Sequence, residues 1–329
     1  MLLAGDVGGT KTLVGIFERG AKRPSAVAIR SYPTLDFPDL ASLCRQFFRE
    51  TSTNPADIEA ASFGVAGPIT GARAELTNVP WVVDVDILRT EIAIPRAHLL
   101  NDLEALAWSV PILNSEEIDV LHEGQADPDG SVALIAAGTG LGVALLPRVD
   151  GRLVPQASEG GHADFAPRNA AEHALAAALI KEHGRAEIER VVSGPGIANI
   201  HRILHPHQCA ALTPMPSPDE LPAAISQSAL ESACPMCTRT LECFVSAYGS
   251  SAGNLALTVF STGGVYVGGG IAPRILPALR WPIFMQSFLE KPPMDDILSR
   301  MPVKVILNPR AGLLGAASYA DQSVGGSRE

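Results

Sequence analysis

Charge is scarce in this chain, and an excess of the basic kind is absent. Of 329 residues 18% are charged, and 25 Lys and Arg stand against 35 Asp and Glu for a net −10. That acidic balance disfavours a nucleic-acid surface, and no basic cluster or DNA-reading segment stands before the first motif. Low charge beside 47% hydrophobic residues also excludes a disordered chain, and the length suffices for two domains with their own cores. No charged n-region leads an apolar stretch at the start, and the five cysteines, Cys44, Cys209, Cys234, Cys237 and Cys243, are odd in number. Reduced thiols and a cytoplasmic location are therefore expected. Cys234 and Cys237 form a C-x-x-C, but no second Cys/His pair with zinc-site spacing accompanies it, so structural thiols are expected. His173, His183, His201, His205 and His207 lack supporting company and read as surface or capping residues. Between Glu242 and Arg274 no side chain is charged, yet Ser250, Ser251, Gly253, Asn254, Ser261, Thr262 and several glycines interrupt the stretch. It reads as an apolar helix, a turn and a short strand, not a membrane span. Leu204 to Pro222, with five prolines, is linker-like, and Gly325 to Glu329 reads as a frayed tail.

What is present is concentrated first at Leu2 to Phe17, where an acidic residue sits in a glycine turn between two apolar runs. Gly8 and Gly9 let amide N–H groups approach an anion, and Thr10 adds a hydroxyl donor. Asp6 cannot bind phosphate directly. A carboxylate there makes sense if hydrated Mg²⁺ lies between it and the phosphates of a nucleotide. The spacing nearly fits a Walker loop, but Thr10 takes the place of the glycine before Lys11, and Leu13 to Phe17 continue as a strand. An ordinary glycine hairpin with a surface Asp is the plain alternative.

The order of elements is α/β throughout. Leu2 to Gly5 and Leu13 to Glu18 form a hairpin, Val27 to Tyr32 is a third strand, and Asp39 to Thr51 has helical periodicity. Ala60 to Ala66 and Ala97 to Asn101 are buried strands, the second leading into a helix from Leu103 to Val110. Val132 to Ala137 and Gly142 to Pro147 then flank the turn Gly138-Thr139-Gly140-Leu141. This repeats the plan of the first hairpin, and two such turns suggest a duplicated fold whose halves hold the phosphates of one nucleotide.

Asn101-Asp102 ends a strand and starts a helix, a position where α/β proteins hold ligands. Asp102 can accept the proton of an attacking hydroxyl in phosphoryl transfer, and Asn101 can hold a neighbouring hydroxyl; an Asn-Asp helix cap is the plain reading of the same pair. Glu159-Gly160-Gly161-His162 offers the density of donors and acceptors that sugar hydroxyls require.

Taken in order, GDVGGT from Gly5, GVAGPITG from Gly64, LLNDLEALA from Leu99, AAGTGLGVALL from Ala136, EGGHADFAP from Glu159, ERVVSGPG from Glu189, GGVYVGGGIAPR from Gly263 and GLLGAA from Gly312 run nearly end to end. The chain resembles a bacterial glucokinase of the Escherichia coli type, in the actin, sugar kinase and Hsp70 superfamily. That resemblance implies ATP-dependent phosphorylation of the glucose 6-hydroxyl with Mg²⁺ and, for the assembly, a homodimer. It implies a two-domain ribonuclease H-like (actin-like ATPase) fold with an interdomain cleft, one domain from 1–112 plus about 308–329 and the other from 113–307. It makes Asp102 the base, and Asn101, Glu159, His162 and Glu189 sugar contacts. It sets Asp6, Gly8, Gly9, Thr10, Gly138, Thr139, Gly140, Gly269 and Gly270 around the nucleotide, with Asp6 reaching the metal through water. From the local pattern alone Glu189 reads first as a surface carboxylate paired with Arg185 or Arg190, and the glycines at 263–264 and 268–270 nearly as well as tight packing of strand on helix. Lys11 stands where the Escherichia coli type carries asparagine and is similar to the ROK sugar kinases and repressors, whose cysteine-rich zinc motif is absent. The rival readings are a kinase for mannose, fructose or N-acetylmannosamine, and a regulator that senses sugar without turning it over.

Overall fold

The computed structural model describes residues 1–76, 79–205 and 209–325. Two compact units divide the chain, one of Met1–Asn114 with the segment from Asn308 onward, the other of Ser115–Leu307.

In the first unit the alternating apolar runs become β1 (Leu2–Val7), β2 (Lys11–Glu18) and β3 (Ser25–Pro33), followed by α1 (Leu40–Thr51), β4 (Ala60–Val65), β5 (Ala97–Asn101) and α2 (Asp102–Ser109). Asp39 starts α1 as expected for a carboxylate N-cap, accepting the Ser42 N–H at 2.6 Å. The sheet order is β3-β2-β1-β4-β5, with β1, β4 and β5 mutually parallel and β2 and β3 antiparallel. β1 and β4 are buried along almost their whole length, as a strand covered on both faces must be. Leu3 and Val7 face the core that holds α1; Leu2 and Ala4 face the C-terminal helix Ala311–Gly325.

By the same period of two, Asp6 projects on the side of Leu2 and Ala4. It therefore lies within β1, paired with Leu13 and Gly64, and not inside the turn as the sequence suggested. The strands extend further than expected because Val7 and Thr12 continue the buried alternation, which leaves a turn of only Gly8, Gly9 and Thr10.

The C-terminal helix reaches β1, β4 and α2 through small residues. A Cβ on Gly315 would overlap the Ala105 carbonyl oxygen of α2, and one on Gly312 would stand 3.3 Å from Asp6 Oδ2. Gly315→Ala is expected to lower stability by about 1–3 kcal/mol through overpacking of backbone that cannot yield. A urea melt checks this; an unchanged midpoint would mean that the two helices separate at no cost.

The second unit contains β6 (Ile118–His122), β7 (Val132–Ala137), β8 (Leu141–Leu146), β9 (Gln156–Ser158), α3 (Ala170–His183), α4 (Gly194–Leu204), α5 (Leu221–Leu230), α6 (Pro235–Val259), β10 (Gly264–Gly268) and β11 (Val303–Ile306). Its sheet runs β9-β8-β7-β10-β11-β6. β7, β10 and β11 are parallel; β8 and β9 fold back antiparallel on one side and β6 on the other. The five strands β9-β8-β7-β10-β11 thus repeat, in order and direction, the β3-β2-β1-β4-β5 sheet of the first unit, which is the duplication the two glycine turns implied.

The uncharged stretch after Glu242 becomes the second half of α6, its turn and β10, and no helix among the described residues is long and apolar enough to cross a membrane. Of the linker-like stretch, Cys209 and the short turn Ala210–Leu212 are described, whereas 206–208, with His207, and the tail residues 326–329 lie outside the described residues.

Candidate active site

The first unit gathers its polar residues at the carboxyl ends of three adjacent parallel strands. Val7 pairs with Val65, and Val65 with Asn101, so the Gly8–Thr10 turn, Ala66-Gly67 and Asn101-Asp102 leave the sheet at one edge. The turn is closed from below. Gly8 donates its N–H to Lys11 O at 3.1 Å, so this amide serves the hairpin, and an anion must be met by the amides and hydroxyl that follow it. Thr34, fully buried, clamps the same turn: its hydroxyl donates to Gly8 O at 2.8 Å and its N–H to Thr10 O at 3.1 Å. Thr10 itself is exposed.

Asn101 does cap α2, its Oδ1 accepting from Leu103 N–H at 2.8 Å and Glu104 N–H at 3.2 Å. What it can offer a ligand is the amide NH₂. The cap therefore belongs to Asn101, and Asp102 stands one residue on as the first residue of the helix, exposed, with Oδ1 accepting the Leu103 N–H at 2.8 Å. Asp6 feels its charge. Burial first, and then the Asp102 carboxylate, push the Asp6 pKa from 3.8 up to about 6, against the pull of Lys11. A largely buried carboxylate that feels a second carboxylate suits a hydrated divalent cation between them, which would offset both charges.

In the second unit the corresponding turn is built the same way. Gly138 N–H closes it onto Gly140 O at 2.8 Å, and Gly138 O accepts the Gly194 N–H that begins α4, also at 2.8 Å. Thr139 projects into solvent. β7 and β10 run in parallel register, Ala136 beside Gly268, so Gly269 and Gly270 leave the sheet next to this turn. Gly269 has φ +82°, and a Cβ there would collide with Ala137 O; here the backbone itself requires glycine. Tyr248 of α6, fully buried, ties the two strand ends together, accepting the Ala137 N–H at 3.2 Å and lying 3.3 Å from Gly268 O.

Glu159, His162 and Glu189 converge. Glu159 Oε2 stands 3.8 Å from His162 Nε2. His162 Nδ1 is 3.2 Å from Glu187 Oε2, and one ligand atom of each of His162, Glu187 and Glu189 lies within 4.8 Å of the others. Glu189 does not pair with Arg185 or Arg190. Its Oε2 accepts the Leu141 N–H at 2.8 Å, filling the space beside Gly140, where a Cβ would stand 2.6 Å away. Arg190 Nε instead lies 3.0 Å from Glu187 Oε1, and Arg185 donates to His162 O and Asp164 Oδ1.

Glu187, Thr34 and Tyr248 were not singled out from the sequence. Glu187 joins the cluster through a bridge to Asp164, and Tyr248 is brought under the turn by a helix that starts nearly a hundred residues after it. Neither leaves a local signal; only the alternation of Glu187 with Glu189 hints that both face one way. Glu187 and Glu189 are each tied to a donor, His162 Nδ1–H and Leu141 N–H, and with the exposed Glu159 the group reads as a hydrogen-bonding surface.

The glucokinase family profile matches residues 3–323. A glucokinase of Synechocystis sp. is 40% identical, with 98% of each chain covered, and one of Yersinia pestis is 34% identical, with 98% of this chain and 97% of the relative covered. The crystal structure of a glucokinase from an Antarctic psychrotroph superposes with a TM-score of 0.85 at 30% identity, covering 98% of both chains. Sugar kinases of mixed α/β architecture are thus the class to which this fold conforms. The chain belongs to the glucokinase family.

Proposed function

We infer that the protein transfers the γ-phosphoryl group of ATP to the 6-hydroxyl of D-glucose. The observation that carries the reading is the family match across 3–323 together with relatives at 34–40% identity over nearly the whole chain. The carboxyl-end placement of Asn101-Asp102 and the Glu159–His162–Glu187–Glu189 cluster supply the chemistry it needs. In this reading the two units are the halves of an actin-like, ribonuclease H-like kinase that close on their substrates, and two copies form a homodimer.

Asp102 is the proposed base. Its exposed carboxylate accepts the 6-hydroxyl proton as that oxygen attacks, while the Asn101 amide holds a neighbouring hydroxyl. Glu159, His162 and Glu189 take the remaining ring hydroxyls, and Glu187 orients His162 through Nδ1. In this reading Thr10 and Thr139, with the amides of Gly9 and Gly140, donate to phosphate oxygens, and Gly269-Gly270 take the nucleoside side. Asp6 would hold hydrated Mg²⁺, which when bound offsets phosphate charge.

A coupled assay for ADP across glucose, mannose, fructose and N-acetylmannosamine tests the reading. Glucose is expected to give the highest kcat/KM. A higher value for another hexose would reassign the substrate, and saturable glucose binding without ADP formation would favour the sensor.

A further inference from the structure

The C-x-x-C motif, unaccompanied in the sequence, has company in the fold. Cys234 is the N-cap of α6 and Cys237 lies in its first turn, three residues on and hence on the same face. Cys209, at the start of the Ala210–Leu212 turn, brings a third sulfur: its Sγ is 3.0 Å from Cys234 Sγ and 3.7 Å from Cys237 Sγ. His201, on the last turn of α4, brings an imidazole, and one ligand atom of each of His201, Cys209 and Cys237 lies within 4.8 Å of the others. The three cysteines are 2%, 6% and 0% exposed, so these are not surface thiols that happen to meet.

The histidine is also held in the form a metal needs. Thr240 donates its hydroxyl proton to Met236 O at 2.9 Å, so toward His201 Nδ1, 3.0 Å away, it can only accept. Nδ1 therefore carries the proton, and Nε2 keeps its lone pair. An imidazole fixed by a hydrogen bond from its other nitrogen is the usual outer-shell arrangement of metal-binding histidines. His201 is accordingly not a surface or capping residue, as its sequence context suggested; α4 carries it against α6.

We propose that His201, Cys209, Cys234 and Cys237 bind one Zn²⁺ in a structural Cys₃His site. With Zn–S bonds of about 2.3 Å, a tetrahedral site sets its sulfurs about 3.8 Å apart. The Cys209–Cys237 separation of 3.7 Å already has that length. The Cys209–Cys234 pair must open by several tenths of an ångström. The competing use of the same sulfurs, a Cys209–Cys234 disulfide, requires the pair to close to about 2.05 Å and leaves Cys237 and His201 Nε2 with no role. Binding would release three thiol protons to solvent and leave one net negative charge. The N-terminus of α6, a 25-residue helix, lies beside Cys234 and Cys237 to offset it. The ion would fasten α4 and the Cys209 segment that follows it to the start of α6, 25 residues beyond Cys209.

The full-length chain, purified under reducing conditions from zinc-supplemented cells, tests the site by elemental analysis. About one zinc per chain is expected, falling at least tenfold in Cys237→Ser and retained in Cys44→Ser and Cys243→Ser. Should Cys237→Ser fail to fold, chelator-treated wild type is titrated with Co²⁺ alone. The intense visible bands of a tetrahedral ion and thiolate charge transfer in the near ultraviolet are then expected. Folded, fully reduced wild type that carries less than about a tenth of an equivalent of zinc and gives no such cobalt spectrum overturns the proposal. So does a Cys209–Cys234 disulfide found by mass spectrometry in protein prepared without air.

Discussion

Asp102→Asn is expected to lower kcat with saturating glucose by about 10²–10⁴-fold while the fold and most of the glucose affinity persist. An amide is nearly isosteric with the carboxylate, can still accept the Leu103 N–H that Asp102 Oδ1 takes at 2.8 Å, and can still meet a sugar hydroxyl. It cannot take the 6-hydroxyl proton as the oxygen attacks the γ-phosphorus. Steady-state kinetics together with a melting curve read both halves of the expectation. Glu159→Gln is the companion: exposed and assigned to ring hydroxyls, it is expected to raise KM for glucose with a much smaller change in kcat. Near-normal kcat in folded Asp102→Asn would return that residue to a helix-end role shared with Asn101.

The second large effect concerns Asp6 and has opposite signs in function and in stability. Its folded pKa of about 6 lies above the 3.8 of a free carboxyl, so the folded chain binds the proton more tightly than the unfolded one. The stabilisation that goes with protonated Asp6 is complete below pH 3.8 and is lost as pH rises through about 6. Above that the folded chain carries an unfavourable buried charge of order 2–3 kcal/mol, at about 1.4 kcal/mol per pKa unit. Without Mg²⁺ or nucleotide, Asp6→Asn is therefore expected to melt higher than wild type at pH 8 and equally at the acid end. It is expected to lose Mg²⁺-dependent turnover while glucose binding without nucleotide stays nearly intact. Calorimetry at the two pH values and a Mg²⁺ titration of activity check the pair. A lower melting temperature at pH 8 would mean that Asp6 serves the β1 strand and not a cation.

The turns and strand ends of the candidate site that are built from neighbouring residues are legible in the sequence. Gly8 to Thr10, Asn101-Asp102, Glu159 to His162 and Gly138 to Gly140 each announce a turn or strand end by residues whose backbone or side-chain requirements are local. Even so, local reading misjudged how the turns use their first glycine. Gly8 and Gly138 both direct their N–H inward to close the hairpin, because the strands run closer to the turn than the apolar pattern of Leu2 to Gly5 suggested. Glu189 illustrates the opposite limit. Its neighbours Arg185 and Arg190 made a surface pair the natural local partner, yet its carboxylate is claimed by Leu141 N–H, 48 positions earlier, while Arg190 lies against Glu187. Glu187, Thr34, Tyr248 and the meeting of His201 and Cys209 with Cys237 depend on tertiary packing between segments 25 or more positions apart, and periodicity carries no trace of that.

The measurement closest to the central claim is a single incubation of the purified chain with MgATP and glucose, with ADP counted and the sugar product identified by NMR. The account predicts one ADP for each glucose phosphorylated, with phosphate on C6 alone. Phosphate at another carbon, or ADP released without a sugar phosphate, would contradict it.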